Sequence, residues 1–496
     1  MNSPGASAPF PTHRSKTGIE GLDDVVGGGL PSHRLYLVLG QPGAGKTTLA
    51  LQFLQEGERA GQRSLYITLS ETKEELHEVG RSHGWDMDKL NLFELSALEA
   101  QIKRDTDTTF YSPSEVELSR TTQVLMDEVV RLKPERVVFD SLSELRLMAE
   151  TPLRYRRQIL HLKQFFSGRN CTVLMLDDGS GSEVDAQVES LAHGVILLNY
   201  FRPDYGVSRR TLCIEKIRGV RFREGHHDVI LRTGGLRVFP RLVAGEHHTE
   251  FVRQSISSGV PNLDLLLGGG IDRGTSTIFM GPPGTGKSTL ATRFAVSAAE
   301  RGEHVRFFAF DETKGTLLSR AKELGMDAAR QVAAGNLQIT QIDPSEISPG
   351  EFAFRIMEAV EKERVKMVII DSLNGYLNSM SEQRQLHLQL HELLAYLNQQ
   401  GVATLLILAQ QGIIGAMTSA VDLTYLADTV VLTRYYEFAG AVRQAVSVIK
   451  KRSGNHERSI RRLEISPKGI VVGEPLTNFQ GILTGVPQVN LAATPA

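Results

Sequence analysis

The sequence predicts an α/β fold built twice: two tandem domains, each a mostly parallel twisted sheet with helices on both faces. Three observations carry that prediction. The chain repeats itself at domain length. Short β-rich apolar runs alternate with segments of helical spacing. Each copy opens with a glycine-rich loop between a strand pattern and a helix pattern.

The repeat is direct. Residues 18–47, GIEGLDDVVGGGLPSHRLYLVLGQPGAGKT, are answered at 259–288 by GVPNLDLLLGGGIDRGTSTIFMGPPGTGKS, an offset of 241 residues. YITLSET (66–72) returns as FFAFDET (307–313) at the same offset. RVVFDSL (136–142) returns as KMVIIDSL (366–373) with its aspartate offset by 231, and IEKIRG (214–219) returns as VIKKRS (448–453). Gene duplication is the simplest account, because the period is too long for a solenoid and suits a domain. The 496 residues allow two or three domains at about 150 residues each. The stretch RLVAGEHHTEF (241–251) is polar and aperiodic and serves as the linker. The expected organisation is a tail at 1–13, a first domain at 14–245, a second at 246–485 and a tail at 486–496. MNSPGASAPFPT at the start lacks a basic region followed by an apolar run, so it reads as a loose tail and not a signal peptide.

Within the first copy the strand candidates are LYLVLG, SLYITL, RVVFD, CTVLML and GVILLNY. LALQFLQEGERAG and YRRQILHLKQFFSG between them have apolar residues at helical spacing. SRRTLCIEKIRG and GGLRVF follow as hairpin-like strands. A hydrophobic fraction of 41% and a charged fraction of 23% are ordinary for a soluble globular protein and supply two large cores. A net charge of −2 excludes a polycation built to coat nucleic acid. Cys171 and Cys213 lie in apolar or alternating segments and read as free buried thiols, which suits a reducing cytoplasm. No apolar run approaches the roughly 18–20 residues of a membrane span.

Gly40–Thr47 and Gly281–Ser288 both fit G-x-x-x-x-G-K-[ST], with a strand before and an amphipathic helix after. Glycines let the backbone wrap tightly, so that successive N–H groups meet phosphate oxygens, and the helix N-terminus adds its dipole. The ATP-binding set is Gly40, Pro42, Gly43, Ala44, Gly45, Lys46, Thr47 and Thr48 in one copy. In the other it is Gly281, Pro283, Gly284, Thr285, Gly286, Lys287, Ser288 and Thr289. Lys46 and Lys287 are placed to reach the β- and γ-phosphates, and the hydroxyls of Thr47 and Ser288 to meet Mg²⁺. The alternative, a glycine turn that binds nothing, would have to arise twice in register.

Asp140 and Asp371 each end a very apolar strand and precede Ser-Leu. A carboxylate at the C-terminal end of a buried parallel strand stands where α/β sheets bind ligands, so both are expected on the Mg²⁺ side; alone, each would read as a helix cap. Glu71 and Glu312 follow the next strand and are candidates to orient or deprotonate water. Asp311 precedes Glu312, whereas Ser70 precedes Glu71, an asymmetry that points to different rates or metal handling. A solvated acidic turn or an N-cap is the alternative for these acids.

Taken together these residues resemble the KaiC family within the RecA-like ATPases, over about residues 14–485. The signs are the doubled GG(G)-hydrophobic lead-in, the acidic residues after the next strand, Asp-Ser-Leu, and a Lys-x-Arg late in each half. The resemblance implies tandem RecA-like P-loop domains that use ATP and Mg²⁺. It also implies a homo-oligomer of two stacked rings of six subunits, with ATP held between neighbours. It assigns water activation to Glu71 and Glu312 and a metal-associated role to Asp311. Lys216 and Arg218, and likewise Lys450 and Arg452, match residues that reach the neighbour's phosphates, where cations would stabilise transition-state charge. Without the resemblance they would read as exposed basic strand residues. The family's phosphorylated Ser-Thr pair falls at Thr424-Tyr425 in AVDLTYLADTVVL. Thr424 is the phosphosite candidate, and its alternative reading is an ordinary helix position. Tyr425 departs from the pattern, which argues against a double Ser/Thr cycle. The tail after FQGILTG is short and uncharged, which argues against a KaiA-driven oscillator. A partner of the KaiB-like or another signalling kind is compatible.

The function expected is therefore a ring ATPase with serine/threonine autokinase activity in its second domain, acting in signalling or timing. Two other readings compete. One is a DNA-dependent ATPase of the RecA/DnaB kind, for which VRFREGHH (220–227) and KKRSGNHERSIRR (450–462) are locally basic without forming an obvious stripe. The other is a scaffold that nucleotide merely assembles, against which the retained Glu71 and Glu312 argue. Neither a nucleic acid nor a membrane is expected as a partner.

Overall fold

A computed structural model describes residues 13–95, 113–179, 188–203, 205–377, 383–412, 423–483 and 487–489. The two expected tails fall largely outside the described residues, as do residues 420–422 beside Thr424. The chain divides into two compact units, Met1–Arg241 and Leu242–Ala496. Leu242 and Ala244 belong to an apolar cluster of the second unit, so the polar stretch at 241–251 begins with two residues that are core.

The first unit holds a nine-stranded sheet. Its strands are β1 (Leu35–Gly40), β2 (Ser64–Thr68), β3 (Asn91–Glu94), β4 (Arg136–Asp140), β5 (Thr172–Asp177), β6 (Gly194–Phe201), β7 (Arg209–Ile217), β8 (His226–Arg232) and β9 (Gly235–Phe239). Their order is β9-β8-β7-β6-β1-β5-β4-β2-β3. From β6 to β3 every neighbour is parallel, and β6 to β9 form an antiparallel meander. Strands β1, β2, β4 and β5 are buried along their whole length, which is why their middles read as apolar runs. Side chains alternate across β1: Tyr36 and Val38 join the core under helix Lys46–Arg59, and Leu35, Leu37 and Leu39 join the core under helices Pro113–Leu132, Leu142–Ala149 and Pro152–Phe166.

The second unit repeats the plan with β10 (Ser276–Gly281), β11 (Val305–Ala309), β12 (Leu337–Gln341), β13 (Met367–Asp371), β14 (Ala403–Ala409), β15 (Thr429–Phe438), β16 (Ala441–Lys451), β17 (Ile460–Ser466) and β18 (Gly469–Pro475). Its order, β12-β11-β13-β14-β10-β15-β16-β17-β18, is the first sheet's order read from the other edge. The expected α/β architecture of two mostly parallel sheets is thus the observed one. Two strands of the first unit carry no readable pattern in the sequence. β3 is a four-residue edge strand without a fully buried position. β8 begins with two histidines in a stretch that reads as basic loop. Both cysteines are free, Cys171 buried and Cys213 half-buried. Among the described residues no helix is long and apolar enough to cross a membrane.

The second of those histidines, His227, is fully buried. The Arg241 backbone N–H donates to its Nδ1 at 2.9 Å, so Nε2 carries the proton and donates to the Arg223 carbonyl at 3.0 Å. Burial pushes its pKa down to about 4, because the charged ring would lose both solvent and its Nδ1 acceptor role. The folded pKa lies below the unfolded one, so the unfolded chain binds the proton first as pH falls. His227 should therefore contribute fully above about pH 6.5 and lose, between there and pH 4, no more than roughly 3 kcal/mol. Urea unfolding of the wild type and of His227→Asn across that range measures this, and the variant should show the flatter pH dependence.

Candidate functional site

In each unit the glycine-rich loop leaves the C-terminal end of the central strand and turns directly into a 14-residue helix, Lys46–Arg59 or Lys287–Glu300. Gly43 and Gly45 have φ of 83° and 106°, and Gly284 and Gly286 have 81° and 92°. Left-handed backbone at alternate positions turns the intervening N–H groups inward and makes an anion-sized nest. Neither helix has a side-chain cap, so its first N–H groups face the same nest. The loops are braced from β6–β7 and β15–β16. Arg210 Nε donates to the Gly43 carbonyl at 3.1 Å, Gln444 Nε2 to that of Gly284 at 3.0 Å, and the Tyr435 hydroxyl to that of Pro283 at 3.1 Å. Sequence reasoning missed these braces. The matched tyrosines of GVILLNY and TVVLTRYY were the available signal.

Both loop lysines lie over their own loops. Lys46 Nζ donates to the Gly40 carbonyl at 2.5 Å and pairs with Asp178 at 2.8 Å. Lys287 Nζ donates to the Pro282 carbonyl at 2.7 Å. Burial pushes the Lys287 pKa down to about 8, opposed by Asp371. Thr47 Oγ1 lies 3.4 Å from Asp140 Oδ2, and Tyr66 donates a short hydrogen bond to the same carboxylate. At the repeat offset the counterpart of Tyr66 is Phe307, which has no hydroxyl to donate. Burial raises the pKa of Asp140, opposed first by the Tyr66 hydrogen bond, and raises that of Asp371, opposed first by a hydrogen bond from Ser288. Among the described residues no three His, Cys, Asp or Glu cluster into a metal cage. A hydroxyl beside one carboxylate is nonetheless an all-oxygen donor set of the kind Mg²⁺ uses when phosphates and water complete its shell. The residues present fit that ion.

Glu71 and Glu312 each stand one residue before an N-cap, Thr72 or Thr313, so the caps are the threonines and not the acids. Thr68 Oγ1 accepts from the Glu71 N–H at 2.9 Å and donates to its carbonyl at 2.7 Å, fixing the turn. Glu71 Oε2 is buried without a hydrogen-bond partner. Its pKa is raised to about 7, chiefly by burial and then by Asp140 and Glu75. Glu312 pairs with Arg320 at 2.7 Å, and Asp311 accepts from Ser372. Ser70, the counterpart of Asp311, is exposed.

The late cations are not brought to their own phosphate loops. The Arg218 N–H bonds the His193 carbonyl and the His193 N–H that of Leu35, so Arg218 is level with Leu35. Through Asp428, Arg452 is likewise level with Ser276. Each lies five residues back along the central strand from Gly40 or Gly281, on the order of 16 Å at the usual strand rise. There Lys216 and Arg218 donate to the carbonyls of Glu189 and Ser190. Lys450 donates to those of Thr424 and Ala427 at 2.9 and 2.7 Å, and Arg452 to that of Tyr425 at 3.0 Å. Thr424 is half-buried in a turn, not a helix, and Tyr425 is exposed. The basic stretch at 450–462 is engaged internally as well: Lys451 pairs with Asp272, and Arg461 with Glu457.

A family model described as "ATPase: KaiC" matches residues 15–243 and 256–477. Among curated proteins, the chain is 28% identical to the circadian clock oscillator protein KaiC of Prochlorococcus marinus (strain MIT 9313), over 98% of each chain. It is 26% identical to the circadian clock protein KaiC3 of Synechocystis sp., over 95% of this chain and 94% of that one. It is 27% identical to the circadian clock oscillator protein KaiC of Synechococcus elongatus, over 96% and 92%.

The first loop glycines allow a sharp test. A Cβ on Gly40 would lie 2.6 Å from the Leu198 carbonyl oxygen, and one on Gly281 would lie 2.3 Å from that of Thr433. Backbone of a central strand cannot yield cheaply. Gly40→Ala or Gly281→Ala should each weaken ATP binding at its own loop by at least about tenfold, ~1.4 kcal/mol. Fluorescent-ATP titration, with the other loop disabled through its lysine, reads each site separately.

Proposed function

The chain belongs to the KaiC family of ATPases, and from that premise we propose that it assembles into a two-tiered ring of six subunits whose second domains pass phosphate from ATP to Thr424 of a neighbour, as a timing or signalling switch. The observation that carries this reading is the separation within one unit. The phosphate loop lies at the C-terminal end of the sheet, and Thr424, Lys450 and Arg452 lie at the other. A subunit cannot bring its own cations or its own Thr424 to its own ATP, whereas a head-to-tail neighbour can.

In this reading the loop N–H groups and Lys46 or Lys287 bind the β- and γ-phosphates, each lysine exchanging its loop carbonyl for phosphate oxygens. Thr47 with Asp140, and Ser288 with Asp371, would hold Mg²⁺, which would supply positive charge against that developing on the phosphate oxygens. Glu71 orients the attacking water and takes its proton, a role suited to a carboxylate poised near neutral pH. Glu312 has the corresponding position in the second site, beside Asp311. Lys216 and Arg218, and Lys450 and Arg452, would face the neighbour's phosphates and stabilise transition-state charge. Phosphate on Thr424 would add charge where Lys450 and Arg452 now hold the turn by its carbonyls, and so would alter the contact between subunits.

The test uses the full chain with Mg²⁺ and γ-labelled ATP, following free phosphate and protein-bound label together. Wild type should release phosphate and acquire label, and Thr424→Ala should release phosphate without label. Mixing Lys287→Ala with Thr424→Ala subunits should restore label, carried on the Lys287→Ala chains. Release without label in the wild type would remove the kinase half of the proposal and leave a ring ATPase.

A further inference from the structure

The two candidate water-activating glutamates occupy the same place in the fold and are not held alike. Glu71 precedes helix Lys73–Ser82, and Glu312 precedes helix Lys314–Glu323. Two turns into those helices, at the repeat offset of 241, stand Val79 and Arg320. Val79 packs against the first unit's apolar core. Arg320 instead turns back towards the site, its Nη1 2.7 Å from Glu312 Oε1. The pair is largely shielded, with side chains 30% and 21% exposed. Arg320 Nε and Nη2 are buried without a hydrogen-bond partner, so the guanidinium makes only part of the contacts its five donors allow. Its charge also reaches Asp371, where it favours the ionised carboxylate. Among the described residues Glu71 is in no ion pair, although Lys46 acts on it at longer range, and its Oε2 is buried without a hydrogen-bond partner.

We propose that Arg320 is a positioning residue of the second site: it ties the Glu312 carboxylate into an ion pair, so that this site activates water less than the first. The inference rests on the ATPase reading above. Hydrolysis forms a bond from water oxygen to the γ-phosphorus, breaks the bond from that phosphorus to the ADP oxygen, and delivers the water's proton to the glutamate. Transfer to a threonine differs in the attacking oxygen. A carboxylate held by a guanidinium has one oxygen occupied and its direction fixed, and water must compete with the cation for it. An ATP that waits longer for water remains available to a protein hydroxyl. The first site, with valine at the matching position, has no such restraint.

The experiment uses the full chain carrying Glu71→Gln, so that phosphate release reports the second site. Arg320→Val, the residue of the first site, should raise kcat for phosphate release by about threefold or more while KM for ATP stays within about twofold. Arg320→Lys, which restores a cation, should return kcat towards the parent. Arg320→Met keeps the aliphatic stem and guards against a packing defect, and it should match the valine variant. An unchanged or lower kcat in the valine and methionine variants overturns the inference, because the arginine would then be structural or would assist the reaction directly. A rise in the lysine variant equal to that of valine overturns it too. Absence of phosphate release from the wild type would instead remove the ATPase reading itself, and this inference with it.

Discussion

The close approach of the first loop glycine to the neighbouring strand sets the geometry of both sites. Gly40 and Gly281 end the central strands against the carbonyls of Leu198 and Thr433, at a separation no side chain permits. That contact starts the loop tight against the sheet. The left-handed glycines that follow can then coil back so that their N–H groups and the helix N-terminus share one focus. The buried aspartate at the end of the second strand over completes the arrangement, because parallel register places its carboxylate beside the loop hydroxyl. Loosening the first contact would displace the lysine, the hydroxyl and the aspartate relative to one another together.

Much of this was legible in the chain because the physics is local. Strands buried on both faces must be apolar along their middles, and LYLVLG, RVVFD and CTVLML are, with charged or hydroxyl groups only at or beside their ends. A phosphate nest needs glycine at fixed spacing, and the two loops have it. β8 was illegible because one of its two buried positions is a histidine whose two hydrogen bonds come from the ends of flanking segments, not from any periodicity. β3 was illegible because an edge strand of four residues needs little apolar content. The site residues divide the same way. Glu71 and Glu312 stood out by position, but their environments are tertiary. The carboxylate pressing on Glu71 comes from β4, and the cation holding Glu312 comes from two helical turns downstream, where an arginine looks like ordinary surface.

Duplication makes the differences between the halves more informative than their likeness. Shared residues are those the nest needs. Unshared ones surround the reacting end: Tyr66 against Phe307, Asp178 against Ala409, Val79 against Arg320, Ser70 against Asp311. Each changes charge or hydrogen bonding without changing the backbone that carries it. In the first site a tyrosine hydroxyl steadies Asp140, and a carboxylate, Asp178, occupies the loop lysine. In the second the lysine rests on its own loop and the arginine is spent on the glutamate. Two sites built on one scaffold can therefore bind the same nucleotide and differ in what they do with it.

In the proposed function, the separation of the two ends within each sheet would make assembly a requirement. Phosphate loop and late cations are five strand residues apart along a rigid, fully buried strand, too stiff to bend one end onto the other. On that reading a monomer could bind ATP but would leave the phosphates without those cations. In the proposed assembly, a heterologous contact that repeats head to tail and closes as a ring would supply them to every site at once. The same contact would carry the Thr424 turn with it, because Lys450 and Arg452 grip that turn by its carbonyls. In the proposed ring, a phosphate placed there would fall on the groups that face the neighbour's nucleotide, so nucleotide state and phosphorylation state would act on one interface and each would bias the other.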